Sequence, residues 1–132
     1  MTHEIYKKLS KHFFNGITHN LILWIISRET IHGYGIMKIL NEFFIFENSE
    51  CDFVSSSSKI YPILSKMEKS GLIEGKWDIN ENNKRVKFYP ITAEGEDVLS
   101  YIQNNMKYII ANQRWREFFL DMAGVNLNEK RD

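Results

Sequence analysis

Ile60, Ile63, Leu64 and Met67 recur at spacings of three and four residues, which places one apolar stripe along a helix. The opposite face carries Ser58, Pro62, Ser65 and Lys69, flanked by Lys59, Tyr61 and Lys66. Ser55 to Ser58 offer hydroxyls for the orphan N–H groups of a first turn, and Gly71 supplies a left-handed stop, so a helix is predicted over 56–70. Pro62 deletes the backbone bond to the carbonyl four residues back. With Ser58 as the cap the proline falls in the first turn; with Ser56 as the cap, Ser58 loses its helical partner. Beyond the glycine, Ile73, Gly75, Trp77 and Ile79 alternate with Glu74, Lys76 and Asp78, the period of a half-buried strand. Arg85 to Thr92 again has strand composition, with Glu81 to Lys84 as the polar turn between the two. Pro90 belongs at an edge or strand end, and Thr92 can cap the following helix, where the charge of Glu94 suits the N-terminus. A helix followed by a hairpin with a basic tip, Asn82-Asn83-Lys84-Arg85, has the order of a winged-helix reading head.

Two helices precede it by pattern. Ile17 to Glu29 holds Leu21, Ile22, Trp24, Ile25 and Ile26 behind a Thr18 cap and is apolar on most sides, as a centrally packed helix would be. Gly33 to Phe46 sets Ile36, Ile39, Leu40, Phe43 and Phe44 against Lys38, Asn41 and Glu42, giving the scaffold helix of a helix-turn-helix. Ile5, Leu9, Phe13 and Phe14 predict a further N-terminal helix, with Met1 and Thr2 frayed. Glu96 to Met122 reads as one long helix broken near Asn112. In it Leu99, Ile102, Met106 and Ile109 step like a coiled-coil seam, and Val98, Tyr101, Tyr108, Ile110, Trp115, Phe118, Phe119 and Leu120 form a second apolar edge. That is too much apolar surface for a lone helix, and it is met either by folding back on its own core or, more economically, by a two-fold dimer. The fold expected is mainly α with a small β-hairpin: a winged helix-turn-helix over residues 1–95 and a C-terminal dimerisation helix with a frayed tail over 96–132.

His32-Gly33-Tyr34-Gly35-Ile36, Lys59-Ile60-Tyr61-Pro62-Ile63-Leu64, Met67-Glu68-Lys69-Ser70-Gly71-Leu72-Ile73 and Phe88-Tyr89-Pro90-Ile91-Thr92-Ala93-Glu94-Gly95 together resemble the PadR family of winged-helix transcriptional regulators. Their order and spacing over Ile17 to Leu99 carry the resemblance. It implies a homodimeric DNA-binding regulator, usually a repressor, that pairs through its C-terminal helix with the N-terminal extension packed into the dimer and often answers to a small molecule or stress. The chain departs from the family pattern twice. Ser56-Ser57-Ser58 replaces the common Thr or Ser followed by Pro and Gly, and Val86 stands where an arginine is frequent, with Arg85 one position earlier and on the other face of the strand.

Charge sharpens the picture through its distribution. The 132 residues carry 17 basic and 17 acidic side chains, a neutral sum that by itself argues against nucleic acid. Yet Lys7, Lys8 and Lys11 outnumber Glu4 in the first segment, and seven cations between Ser55 and Pro90 outnumber Glu68, Glu74, Asp78 and Glu81, while Glu47 to Asp52 and Glu94 to Asp97 hold much of the compensating acid. The expected DNA contacts are Ser57, Ser58, Lys59, Tyr61, Ser65, Lys66 and Lys69 in the major groove, Tyr34 on phosphate, and Lys84, Arg85 and Lys87 on flanking backbone or minor groove. With no arginine or asparagine on the exposed helix face, part of the specificity would come from DNA shape. Dimerisation is assigned to Leu99, Ile102, Met106, Ile109, Trp115 and Phe119, and a pocket for a small apolar effector to Trp24, Tyr108 and Trp115.

The remaining features narrow the function class. Leu21 to Ile26, the longest nearly apolar run, is far short of the roughly 20 residues of a membrane span, and Met-Thr-His-Glu is no signal peptide, so a cytoplasmic protein without a membrane partner is expected. Cys51 alone makes no internal disulfide and reads as a small loop side chain. His3, His12, His19 and His32 lack the spacing of a zinc set, and neither metal nor cofactor is expected. No phosphate-binding glycine loop or nucleophile motif supports an enzyme. The alternative to a DNA-binding repressor is a winged-helix module that binds protein, which acidic or apolar residues on the exposed recognition face would favour.

Overall fold

A computed structural model describes residues 2–44 and 57–125 of the chain. Its elements run α1 (Thr2–Arg28), α2 (Gly33–Glu42), α3 (Ser57–Lys69), β1 (Lys76–Ile79), β2 (Arg85–Phe88), α4 (Ala93–Ala111) and α5 (Gln113–Met122). This is the mostly helical architecture with a two-stranded antiparallel hairpin that the residue pattern predicts. The chain divides into two compact units, Met1–Glu96 and Asp97–Asp132. The expected loop Glu47 to Asp52, Cys51, the serines Ser55 and Ser56, Phe46, Met1 and the C-terminal tail lie outside the described residues.

The core of the first unit comes from the apolar stripes of three helices and the flanks of the hairpin. Ile22, Leu23, Ile25 and Ile26 of α1, Ile36 and Leu40 of α2, Ile60, Leu64 and Met67 of α3, and Ile73 and Tyr89 beside the strands are all buried. Each such aliphatic side chain removed from water stabilises the fold by about 1.5–3 kcal/mol.

The N-terminal half differs from expectation. The two helices predicted before α2 are one continuous helix that passes through Gly16. Thr18 is therefore no cap: it lies within α1 and is 5% exposed. Nor is that helix buried all round, because Trp24 is 42% exposed, its ring meeting Phe43 edge-on at 6.1 Å and Arg28 at 5.2 Å. Helix α2 ends at Glu42, with Phe43 as its C-cap.

Local chemistry fixes the ends of the other helices. Pro62 lies inside α3, so the amide that would bond the Ser58 carbonyl is missing, as expected for the earlier helix start. The helix closes in a Schellman motif: Leu72 N–H donates to Met67 O and Gly71 N–H to Glu68 O, both at 3.0 Å, with Gly71 at φ 81°. Thr92 caps α4, its hydroxyl accepting from Gly95 N–H at 3.0 Å. Gly95 has no room for a side chain, since a Cβ there would strike the Leu72 carbonyl oxygen. In the second unit the break falls at Asn112, where it was expected, and Asn112 Oδ1 accepts from Arg114 and Trp115 N–H at 2.8 and 3.3 Å to start α5. None of α5's side chains is buried within the chain.

The strands form where the pattern places them, but β1 begins at Lys76 rather than Ile73, β2 ends at Phe88 rather than Thr92, and the predicted burial is not kept. Lys76 pairs with Phe88, Trp77 with Lys87, Asp78 with Val86 and Ile79 with Arg85. All four residues of β1 are exposed, Trp77 and Ile79 at 58% and 60%. Two short strands shield little of that face, and of the alternating residues Ile73, Gly75, Trp77 and Ile79 only Ile73, bridged to Ile91, is buried. Pro90 lies just past β2, where it donates no ladder bond and its carbonyl accepts from Glu74 N–H at 3.0 Å.

Candidate nucleic-acid interface

Helical geometry sorts α3 into two faces. Ile60, Leu64 and Met67 pack inward, and Lys59, Tyr61, Pro62, Ser65, Lys66 and Lys69 are exposed on the other side. The side chains of Ser57 and Ser58 lie outside those described, although their backbone belongs to α3.

Tyr61 is fixed by a close approach rather than by burial. A Cβ on Gly33 would come within 2.6 Å of Tyr61 Cε1, so the ring lies against the bare backbone at the start of α2. That start is capped by His32, whose Nδ1 accepts from Gly35 N–H at 2.9 Å. The His32 ring also packs 5.8 Å from Phe88, and Tyr89 N–H donates to Ile31 O at 3.2 Å, so the α1–α2 turn and the end of β2 are held together. Tyr34, exposed on α2, stands beside this cap.

A second tie joins α3 to the hairpin. Glu68 Oε1 accepts from Lys87 Nζ at 3.0 Å and Glu68 Oε2 from Gly75 N–H at 2.9 Å. One carboxylate thus holds the entry to β1 and the middle of β2. Gly75 has no Cβ because one would run into Lys87 Cε. The hydrogen bond from Lys87 keeps the Glu68 carboxyl below its ordinary range, and the same bond raises the Lys87 ammonium. Lys87, expected on DNA backbone, is thus engaged with α3, and its Nζ also lies 5.5 Å from the Tyr89 ring. Burial pushes the Tyr89 phenol up.

The wing tip is built on Asn80. Its Oδ1 accepts from Asn82 N–H at 3.0 Å and Lys84 N–H at 2.9 Å, its own N–H donates to Lys84 O at 2.9 Å, and Asn83 takes the left-handed conformation at φ 62°. Lys84 and Arg85 are exposed at this tip, and the Arg85 guanidinium lies over the Trp77 ring, 4.9 Å from its centroid.

These parts surround one groove of about 770 Å³, lined by Gly33 and Tyr34 of α2, Tyr61 of α3, and Trp77, Lys84, Arg85 and Lys87 of the hairpin. The structure brings together Tyr34, Tyr61, Lys84, Arg85 and Lys87 from the expected set, while Lys59, Ser65, Lys66 and Lys69 continue the exposed face along α3. Sequence reasoning missed Trp77 and Glu68 as parts of the site. Trp77 was read as half-buried, and no spacing rule reveals that Glu68 meets a lysine 19 residues on.

The other expected residues lie elsewhere. Leu99, Ile102 and Ile109 are half-exposed on α4, with Met106 exposed, and Trp115 and Phe119 are exposed on α5 with their rings stacked at 5.8 Å. Of the residues assigned to an effector pocket, Trp24 belongs to the first unit, and Tyr108 and Trp115 to the second. Among the described residues no three His, Cys, Asp or Glu side chains gather as metal ligands, and no helix is long and apolar enough to cross a membrane.

An exposed helix face with three lysines beside a two-stranded wing tipped by Lys and Arg is an arrangement suited to a polyanionic duplex. Comparison with known proteins agrees. A PadR-like transcriptional regulator from Bacillus cereus is 31% identical, the match covering 76% of this chain and 90% of that one, with a TM-score of 0.63. A protein from Streptococcus mutans is 25% identical over 83% of this chain and 85% of its own, with a TM-score of 0.56. A PadR family transcription regulator from Clostridium difficile, 24% identical over 78% of this chain and 98% of its own, shares the fold with a TM-score of 0.62. No curated protein matches the chain. The model of the transcriptional regulator PadR-like family matches residues 22–101, which include α2, α3 and the whole hairpin. The chain belongs to the PadR-like family, and it is a DNA-binding transcriptional regulator rather than an enzyme.

Proposed function

We propose that this regulator is a cytoplasmic, homodimeric repressor that lays α3 in the major groove and sets its wing tip on the flanking backbone or minor groove. The observation that carries the reading is the shared exposure of Lys59, Tyr61, Ser65, Lys66 and Lys69 on one side of α3, with Tyr34, Lys84 and Arg85 around the adjoining groove. The same role falls to Ser57 and Ser58, whose backbone begins α3. Lys87 serves by holding Glu68, so that it sets the angle between helix and wing and adds its charge to the groove from behind. Residues 1–95 act as the DNA-binding domain and 96–132 as the dimerisation segment. Leu99, Ile102, Met106, Ile109, Trp115 and Phe119 pair the two copies, a role supported by the exposure of Met106, Trp115 and Phe119 in the single chain. A two-fold dimer would present two α3 helices about one DNA turn, roughly 34 Å, apart. Bound across a promoter, such a dimer excludes polymerase, which supports repression. The reading extends to a small apolar effector, for which Tyr108 and Trp115 of the second unit supply aromatic surface, and quenching of tryptophan fluorescence by aromatic ligands is the check on that part.

Fluorescence anisotropy on DNA from the region upstream of its own gene and on a scrambled duplex, across a salt series, tests the DNA reading. Tighter binding to the upstream fragment is expected, with log affinity falling steeply against log salt. The pair Lys84→Ala and Arg85→Ala should flatten that slope by about two per protomer. Binding with no salt dependence would favour a protein-binding module instead.

A further inference from the structure

Trp77 has no packing reason to be an indole. It is 58% exposed, on a strand whose four residues are all exposed. Among the described residues, the partner of its ring is Arg85. In the register Trp77 faces Lys87 and Ile79 faces Arg85, so Arg85 leans back along the strand to lie diagonally over the indole, 4.9 Å from the ring centroid. The backbone on either side is fixed by the Asn80 carboxamide and the Asn80–Lys84 bonds. A guanidinium held over an aromatic ring loses rotamers before any ligand arrives, while its N–H donors stay available to an anion.

We infer that Trp77 is a positioning residue for DNA binding: it holds the Arg85 guanidinium extended beside the wing tip, and the pair reads the width of the minor groove. This rests on the placement of the wing against DNA given above. A narrow, A·T-rich minor groove concentrates negative potential and draws in an arginine that is already aligned. Four of the exposed groups on α3 are lysines or serine, which make weaker bidentate base contacts than arginine or asparagine. The wing therefore carries a disproportionate part of the discrimination, through shape, and the indole sets how much of it is realised.

The test uses the full-length protein and two duplexes of about 30 base pairs, one with phased A-tracts and one of G·C pairs only, by anisotropy at fixed low salt. The wild type should favour the A-tract duplex. Trp77→Leu and Arg85→Ala should each lose about five- to tenfold on that duplex and no more than about twofold on the other, and the double variant should lose no more than Arg85→Ala alone. Trp77→Phe, which keeps a ring under the guanidinium, should retain most of the preference. Losses that multiply in the double variant, an equal loss on both duplexes, or wild-type behaviour of Trp77→Leu would each overturn the inference while leaving the DNA reading standing. A wild type that binds neither duplex would overturn the placement of the wing and the inference together. Because Trp77 contributes nothing to the core, an unchanged melting profile confirms that the variants are folded.

Discussion

Glu68 shows how one side chain can align two elements that sequence reasoning treats separately. With 29% of the Lys87 side chain and 33% of the Glu68 side chain exposed, solvent screening keeps the pair to about 1 kcal/mol or less. Its value is geometric, because the same carboxylate also takes the Gly75 N–H. The Glu68 carboxyl titrates below its ordinary 4.5 when folded, so its contribution is complete above that pH and is lost as pH falls through the lower folded value. Lys87 titrates above its ordinary 10.5 when folded, so its contribution is complete below that pH and is lost as pH rises through the higher folded value. Glu68→Gln should lower the melting temperature by about 2–4 °C at neutral pH. Calorimetry should find the gap closing as pH falls through the lowered folded value, since the wild-type carboxyl is then protonated as well. A gap of unchanged size in acid would mean that the charge is irrelevant and that shape alone distinguishes the variant.

At the scale of elements, what the sequence disclosed depended on whether a signal was local. Helix α3, its stop at Gly71, the Thr92 cap and the break at Asn112 all follow from residues within a turn of the feature they cause. The place of the hairpin and its polar turn followed from strand periodicity, but its burial depends on what lies across from it, which no period reports. Thr18 misled for the same reason, since a hydroxyl before an apolar run reads as a cap whether or not a helix already occupies the preceding residues. Of the interface, the basic and hydroxyl groups of α3 and the tip were legible, while the Trp77–Arg85 stack and the Glu68 tie arise from tertiary approach. The corner between α3 and α4 offers a direct test. Thr92 Oγ1 lies 2.6 Å from Gly71 O and 3.0 Å from Leu72 O while accepting from Gly95 N–H, so the cap of one helix also secures the turn that ends another. Thr92→Ala should cost about 1–2 kcal/mol in urea denaturation and Thr92→Ser much less. Equal losses for the two would assign the effect to the methyl group instead.

For the whole molecule, a formally neutral chain that binds a polyanion must separate its charges and, if it is a dimer, must count them twice. The second unit bears on this through apolar surface: Trp115, Phe118 and Phe119 form one aromatic cluster with ring centroids 5.4–6.0 Å apart, yet each of the three remains exposed in the single chain. Exposed aromatic area of this kind is stable in water when a second copy covers it. Trp115→Ser with Phe119→Ser should therefore halve the particle mass in light scattering without unfolding the winged domain, whose core residues lie in α1, α2, α3 and the hairpin flanks. The consequence for DNA is larger than any lost contact, because two linked reading heads bind a two-part site with an effective concentration that separate heads lack. Affinity for an operator-bearing fragment should fall at least about a hundredfold, and the slope of log affinity against log salt should drop to about half, since each monomer neutralises only its own phosphates. A variant that stays dimeric would move the pairing surface away from α5. One that becomes monomeric yet keeps the full salt slope would show that a single winged domain makes all the phosphate contacts.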